Sequence, residues 1–157
     1  MSLSESDKAA IKTVLEKLDW YGHLQGSELT ALLGGFEKAS MVKDEVMITE
    51  GKTGEIFYIV ASGSVGVFLK RKLVDKLVAT LGPGDFFGEM SLISDEPRSA
   101  SVVCQEDGVV YTLLRSTFRK VIMSNPFIGD LMRKAAAARR SENRAIEFGE
   151  WMGKGLK

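Results

Sequence analysis

Phe86-Phe87-Gly88-Glu89-Met90-Ser91-Leu92-Ile93-Ser94-Asp95-Glu96-Pro97-Arg98-Ser99-Ala100-Ser101-Val102 carries more information than any other stretch of this chain. A glycine after two aromatic residues opens a short helical segment. The first N–H groups of a helix lack intrahelical partners and lie at the positive end of its dipole. Such an end accepts an anion. Gly88 has no Cβ, so the backbone there can come close to a ligand. Arg98 adds a planar charged fork whose donors match two phosphate oxygens. Glu89 is the odd member, because a carboxylate repels a phosphate. It fits if it accepts a hydrogen bond from a sugar hydroxyl while Arg98 balances the charge. The stretch therefore reads as a site for one small phosphate diester. The plain structural alternative is a turn, a helical turn and a strand whose arginine is a solvated surface charge.

Phe87-Gly88-Glu89, Leu92-Ile93, Pro97-Arg98-Ser99-Ala100 and Val102, in this register, resemble the phosphate-binding cassette of the cyclic nucleotide-binding domain family. That family includes the regulatory subunits of cAMP-dependent protein kinase, the catabolite activator protein and the cytoplasmic domains of cyclic-nucleotide-gated channels. The resemblance implies roles within the run. Arg98 pairs with the cyclic phosphate, and the backbone N–H groups of Gly88 and Ser91 point at it. Ala100 donates its N–H from the far side, and Glu89 holds the ribose 2′-hydroxyl. Met90 belongs to the same ligand-binding set. Ser99 stands where kinase regulatory subunits have alanine and channels that favour cGMP have threonine. One hydrogen bond there is worth about 0.5 to 1.5 kcal/mol. The expected ligand is cAMP, with cGMP as the alternative, and no other cofactor and no metal is implied. The base needs a cover. Met132-Arg133-Lys134-Ala135 with Arg139-Arg140 resembles the final helix of a bacterial cyclic-nucleotide-gated potassium channel. Register with that helix lays Arg139 over the purine, where a guanidinium can stack. A solvated helix face is the other reading, and Phe148 and Trp151 are competing lids. Val67 lines the inner side of the base pocket or is ordinary core.

Around the cassette, the chain from Ala39 to Leu114 alternates short β-branched runs with glycine. Val46–Ile48, Ile56–Val60, Val65–Leu69, Leu77–Thr80, Ser101–Val103 and Val109–Leu113 read as strands. Gly51, Gly54, Gly63, Gly82 and Gly84 mark turns between them. This spacing suggests a sandwich or barrel. Glu50-Gly51, Phe57-Tyr58-Ile59-Val60, Ser62-Gly63 and Val65 also resemble the family's barrel core. Before it, Ile11, Val14, Leu15 and Leu18 make one helical stripe, and Ser4 with Asp7 resembles a capping start. Leu29, Leu32, Leu33 and Phe36 repeat the stripe, with Gly34-Gly35 near its end and Trp20, Tyr21 and His23 between the helices. After it, Ser116 is the expected N-cap of a helix bearing Phe118, Val121 and Ile122. Asn125 and Pro126 then suit the N-cap and first position of a last helix, running from about Phe127 to near Phe148. The expected fold is mainly β with flanking helices. It is an eight-stranded jelly-roll β-barrel with N-terminal helices, an embedded phosphate-binding helix and two C-terminal helices. One domain spans 1–157: helices over 1–38, barrel over 39–114 with the cassette at 86–102, helices over 115–148, and a tail over 149–157.

Composition excludes several other classes. The 157 residues suit one domain. Lys plus Arg and Asp plus Glu are both 21, whereas a general nucleic-acid binder carries a basic excess. Only nine residues follow Phe148, too few for the helix-turn-helix of a DNA-binding regulator. No apolar run approaches the roughly 18 to 20 residues that span a bilayer, and the N-terminus is polar. The expected location is therefore cytoplasmic. The single cysteine, Cys104, sits in an apolar run and reads as a core thiol. The single histidine, His23, reads as a surface or capping residue. A metal-dependent barrel enzyme gathers two or three histidines, and no Ser-His-Asp or Cys-His set is present. The chain is thus expected to bind a cyclic nucleotide as a regulatory sensor, not an enzyme, that signals to an unidentified effector through its C-terminal helices. The alternative is a protein-interaction module of the same fold that binds no ligand.

Overall fold

The computed structural model of the chain describes residues 2–92, 97–122, 125–130 and 133–134. Helix α1 spans Glu5–Leu15. Ser4 Oγ accepts from the Asp7 N–H at 3.0 Å, and Asp7 Oδ2 accepts from the Ser4 N–H at 2.8 Å. This reciprocal pair satisfies two of the donors that a helix start leaves over. The helix stops at Leu15, earlier than the stripe suggests. The Leu18 N–H bonds the Leu15 carbonyl at 2.9 Å, and this tighter turn still buries Leu18. A 3₁₀ turn at Tyr21–His23 leads to α2, Gly26–Gly35.

Among the described residues, six antiparallel strands follow: β1 Glu37–Met41, β2 Val46–Ile48, β3 Ile56–Arg71, β4 Val74–Leu81, β5 Phe86–Phe87 and β6 Ser101–Leu114. The main order is β1-β6-β3-β4, with β2 also on β6 and β5 also on β3. Runs that read as separate strands are joined in pairs. Val46–Ile48 stands alone, but Ile56–Val60 and Val65–Leu69 are two arms of β3. Ser101–Val103 and Val109–Leu113 are two arms of β6. The register between these two long strands shifts between Val60 and Val65, where both bend. Counting each arm separately recovers the jelly-roll set of eight.

Side-chain alternation along these strands divides the interior in two. Tyr58, Val60, Val65, Val67, Phe87, Val102, Cys104 and Val110 fill the barrel. Phe57, Ile59, Phe86, Tyr111 and Leu113 point the other way, onto Ile11, Leu15, Leu32 and Phe118 of the helices. Cys104 is buried, in keeping with a core thiol.

Helix α3, Arg115–Ile122, begins one residue before the expected cap. Ser116 is therefore inside the helix and does not cap it. The reason is tertiary: β6 runs straight into α3, and the Arg115 N–H bonds the Glu55 carbonyl at 2.8 Å. The next cap is as expected. Asn125 Oδ1 accepts from the Ile128 N–H at 3.0 Å, and Pro126 opens the helical residues 126–130. Asn125 Nδ2 also donates to Glu28 Oε1 at 2.9 Å and to the His23 carbonyl at 3.2 Å, which ties this segment to α2.

Candidate functional site

The cassette begins where β5 leaves the sheet. Phe86 and Phe87 pair with Ile59 and Tyr58 of β3, and the Phe87 ring stacks on Tyr58 with centroids 4.7 Å apart. The backbone then turns through Gly88 at φ +80°, a value that disfavours any residue with a Cβ. The described part of the expected helix is a 3₁₀ turn, Glu89–Leu92. Ser91 closes this turn. Its N–H and its hydroxyl both donate to the Gly88 carbonyl, at 3.1 Å and 2.6 Å. The Ser91 N–H, expected to face a ligand, is thus engaged within the cassette. Leu92 follows and is buried among the helices.

Arg98 comes back to the same place from the other end of the run. Its N–H bonds the Lys52 carbonyl at 2.8 Å, and its carbonyl accepts from the Gly51 N–H at 2.9 Å. Two backbone bonds therefore fix it to the loop before β3. The guanidinium lies between two glycines. A Cβ on Gly54 would overlap Nη2 and Nε, and one on Gly88 would stand 2.9 Å from Nη1 and 2.8 Å from the Ile56 carbonyl. Nη2 donates to that carbonyl at 3.1 Å. Nη1 is buried and has no hydrogen-bond partner among the described residues. The residue as a whole is only 9% exposed.

A charge held this way is unfavourable by itself. Leaving one buried donor unsatisfied costs about 1–3 kcal/mol, and more when it is charged. Burial pulls the Arg98 guanidinium below its ordinary value. The Arg115 charge acts in the same direction, and Tyr58 opposes both. Arginine still keeps its proton. Burial likewise pushes the Tyr58 phenol up. A cavity of about 220 Å³ opens beside Arg98, lined by Met47, Ile48, Lys52, Gly54, Glu55 and Tyr58 among others. On its rim, Glu55 Oε1 accepts from Arg115 Nη2 at 2.9 Å.

The other expected site residues are placed as follows. Ala100 is buried and belongs to the barrel interior. Ser99 is half-buried beside it, and half-buried Met90 packs against the same cluster. Glu89 opens the 3₁₀ turn and is half-buried. Val67 is fully buried opposite Val102 and does not line the Arg98 cavity. Its packing is that of a core residue, and a place on the inner side of the base pocket stays a proposal. Arg139, Phe148 and Trp151 lie outside the described residues. Gly54 is the residue that sequence reasoning missed. It read as a turn, and its contact with Arg98 spans too much chain for any local pattern to carry it. The signal was a glycine two residues before the barrel run Ile56-Phe57-Tyr58.

The family model for the cyclic nucleotide-binding domain matches residues 39–125. The chain is 35% identical over 107 residues to a cAMP-dependent protein kinase regulatory subunit of Eremothecium gossypii, covering 68% of this chain and 22% of the relative. It is 30% identical over 138 residues to a cGMP-dependent protein kinase of Toxoplasma gondii, covering 87% of this chain and 13% of that kinase. The chain thus spans less than a quarter of either relative. Among solved structures, the regulatory domain of Toxoplasma gondii PKA, crystallised with cAMP, is similar to it. That likeness has a TM-score of 0.67 and 27% identity, covering 75% of this chain and 45% of the other.

Proposed function

The chain belongs to the cyclic nucleotide-binding domain family, and on that premise we propose that its cassette takes up a cyclic nucleotide, cAMP ahead of cGMP, as a cytoplasmic regulatory sensor without catalysis of its own. The observation that carries this reading is the Arg98 Nη1, buried and without a partner among the described residues, at the mouth of a glycine-lined turn. A phosphate oxygen supplies what that donor lacks. A charge-assisted bond of this kind contributes about 1.5–3 kcal/mol. Gly88 and Ala100 offer backbone N–H groups to the same phosphate, and Glu89 accepts from the ribose 2′-hydroxyl. Ser99 adjusts the choice of base, and Arg139 is the proposed cover. A ligand of about 22 heavy atoms at ~0.3 kcal/mol per atom binds in the micromolar range.

Signalling follows from where Leu92 sits. It ends the turn that starts at Gly88, and it shares a buried cluster with Phe118, Ile122 and Ile128. A ligand that tightens the turn moves Leu92 against α3. The helices shift only to the extent that the ligand prefers one arrangement over the other. An interaction module without a ligand would need Arg98 in an ion pair within the fold, and among the described residues it has none.

Titration calorimetry with cAMP and cGMP side by side tests the reading. Micromolar binding of cAMP, lost in Arg98→Ala at an unchanged melting temperature, supports it. No heat with either nucleotide at millimolar concentration overturns it.

A further inference from the structure

The β3–β4 hairpin extends beyond the barrel, and every residue from Lys70 to Leu77 is exposed. Its tip holds four cations, Lys70, Arg71, Lys72 and Lys76, against one carboxylate, Asp75, in a chain of zero net charge. None of these cations forms an ion pair among the described residues. Between them Leu73 is 99% exposed and Val74 is 69% exposed. Arg71 faces Val74 across the hairpin, so Lys72-Leu73 is a two-residue loop. Tight hairpin loops favour glycine or asparagine where φ is positive. Here Lys72 takes φ +53° instead. The chain therefore accepts an awkward backbone to keep a cation and a leucine at its outermost point. The Lys70 N–H donates to Glu50 Oε1 at 2.9 Å and holds this outer part of the hairpin to the chain just after β2 and Thr49.

We propose that this hairpin docks the domain onto an anionic lipid bilayer. Lysines along an edge strand alone would merely discourage sheet-to-sheet pairing. They do not account for an apolar side chain at the tip. A stable protein interface needs about 1,000 Å² of buried surface, more than one hairpin tip supplies. A bilayer offers phosphate and apolar depth at the same spot. Long basic side chains reach the headgroups while their stems and the neighbouring apolar groups sink below them. Each cation near such a surface is worth about a fivefold gain in partitioning, and the attraction is screened by salt.

The test is co-sedimentation of the full chain with vesicles of phosphatidylcholine alone, or mixed in equal parts with phosphatidylserine. The chain pellets with the mixed vesicles and not with the neutral ones, and it is released at about 1 M salt, where the screening length is ~3 Å. Leu73→Ser lowers the partition coefficient about tenfold with every charge kept. Lys72→Gln with Lys76→Gln lowers it at least tenfold. Unchanged melting temperatures show that these exposed substitutions leave the fold alone. Failure to pellet with mixed vesicles overturns the proposal. So does pelleting that ignores Leu73, or equal affinity for a short DNA duplex, since either makes the tip a general polyanion site.

Discussion

The two cores of this molecule are built differently. The barrel interior is enclosed by strands that hydrogen-bond directly to one another, with Val67 between Ala79 and Val102 as the pattern. The helical core is assembled from segments far apart in sequence: Ile11, Leu32, Phe57, Leu92, Phe118 and Ile128. Arg98 is anchored on the barrel side through the Lys52 and Gly51 backbone. Leu92 is anchored on the helical side. One cassette thus has its charged end on the self-contained layer and its apolar end on the composite one. Under the function proposed above, ligand occupancy would be read as a change in how the second layer packs.

The largest expected effect separates the two layers. Phe118 is fully buried, and its ring lies tilted against Trp20 with centroids 5.1 Å apart. Phe118→Ala should cost about 3–5 kcal/mol. If the layers are as distinct as their construction suggests, hydrogen exchange will show α1 and α2 losing protection while β3 and β6 keep theirs. Equal loss in the strands would mean one cooperative core. Val67→Ala, by contrast, should lower the protection of all strands together.

Arg98→Ala is next, and it moves binding and stability apart. Loss of the fork should weaken cAMP by about 2–5 kcal/mol in calorimetry. The melting temperature should hold or rise, because a buried unpaired charge is removed with it. A lower melting temperature would show that the guanidinium stabilises the empty fold. Gly54→Ala makes the same point more gently. The new methyl group displaces the guanidinium while every residue of the cassette is kept, and we expect a loss of affinity of about tenfold to a hundredfold at nearly constant stability. Affinity equal to the unchanged chain would remove Gly54 from the site.

These variants also mark the boundary of what the residues announce. That Gly88, Arg98 and the aromatic pair form one cluster was legible because these residues lie close together in sequence and their chemical types belong to one local pattern. The caps at Ser4 and Asn125 were legible because capping is local. The joining of strand runs into β3 and β6 was not, since it depends on cross-strand register. The start of α3 depends on a carbonyl at Glu55. The contact of Gly54 with Arg98 is likewise set by tertiary folding. The Ser91 N–H illustrates a further limit. Its residue type fits the pattern, yet the turn it closes takes up the donor.

The smallest effect concerns the seam between the layers. Asp7 of α1 accepts from the Tyr111 hydroxyl of β6 at 2.6 Å and from Lys38 Nζ of β1 at 3.2 Å, in addition to the Ser4 N–H. The Ser4 N–H first, then Tyr111, hold the Asp7 carboxyl well below the usual carboxylate range. The folded state therefore binds this proton more weakly than the unfolded chain, whose value is about 3.9. The stabilisation is in full force above that value and fades as pH falls below it. Tyr111 runs the opposite way. Burial, and the bond to Asp7, push its phenol up to about 12. Its contribution is complete below about pH 10, the unfolded value, and is lost as pH rises toward 12. Melting temperature measured against pH should therefore fall at both ends. Asp7→Asn should flatten the acid limb and soften the alkaline one, because the carboxylate serves both. An acid limb as steep in Asp7→Asn as in the parent chain would place the acid sensitivity elsewhere and leave α1 held to the barrel by packing alone.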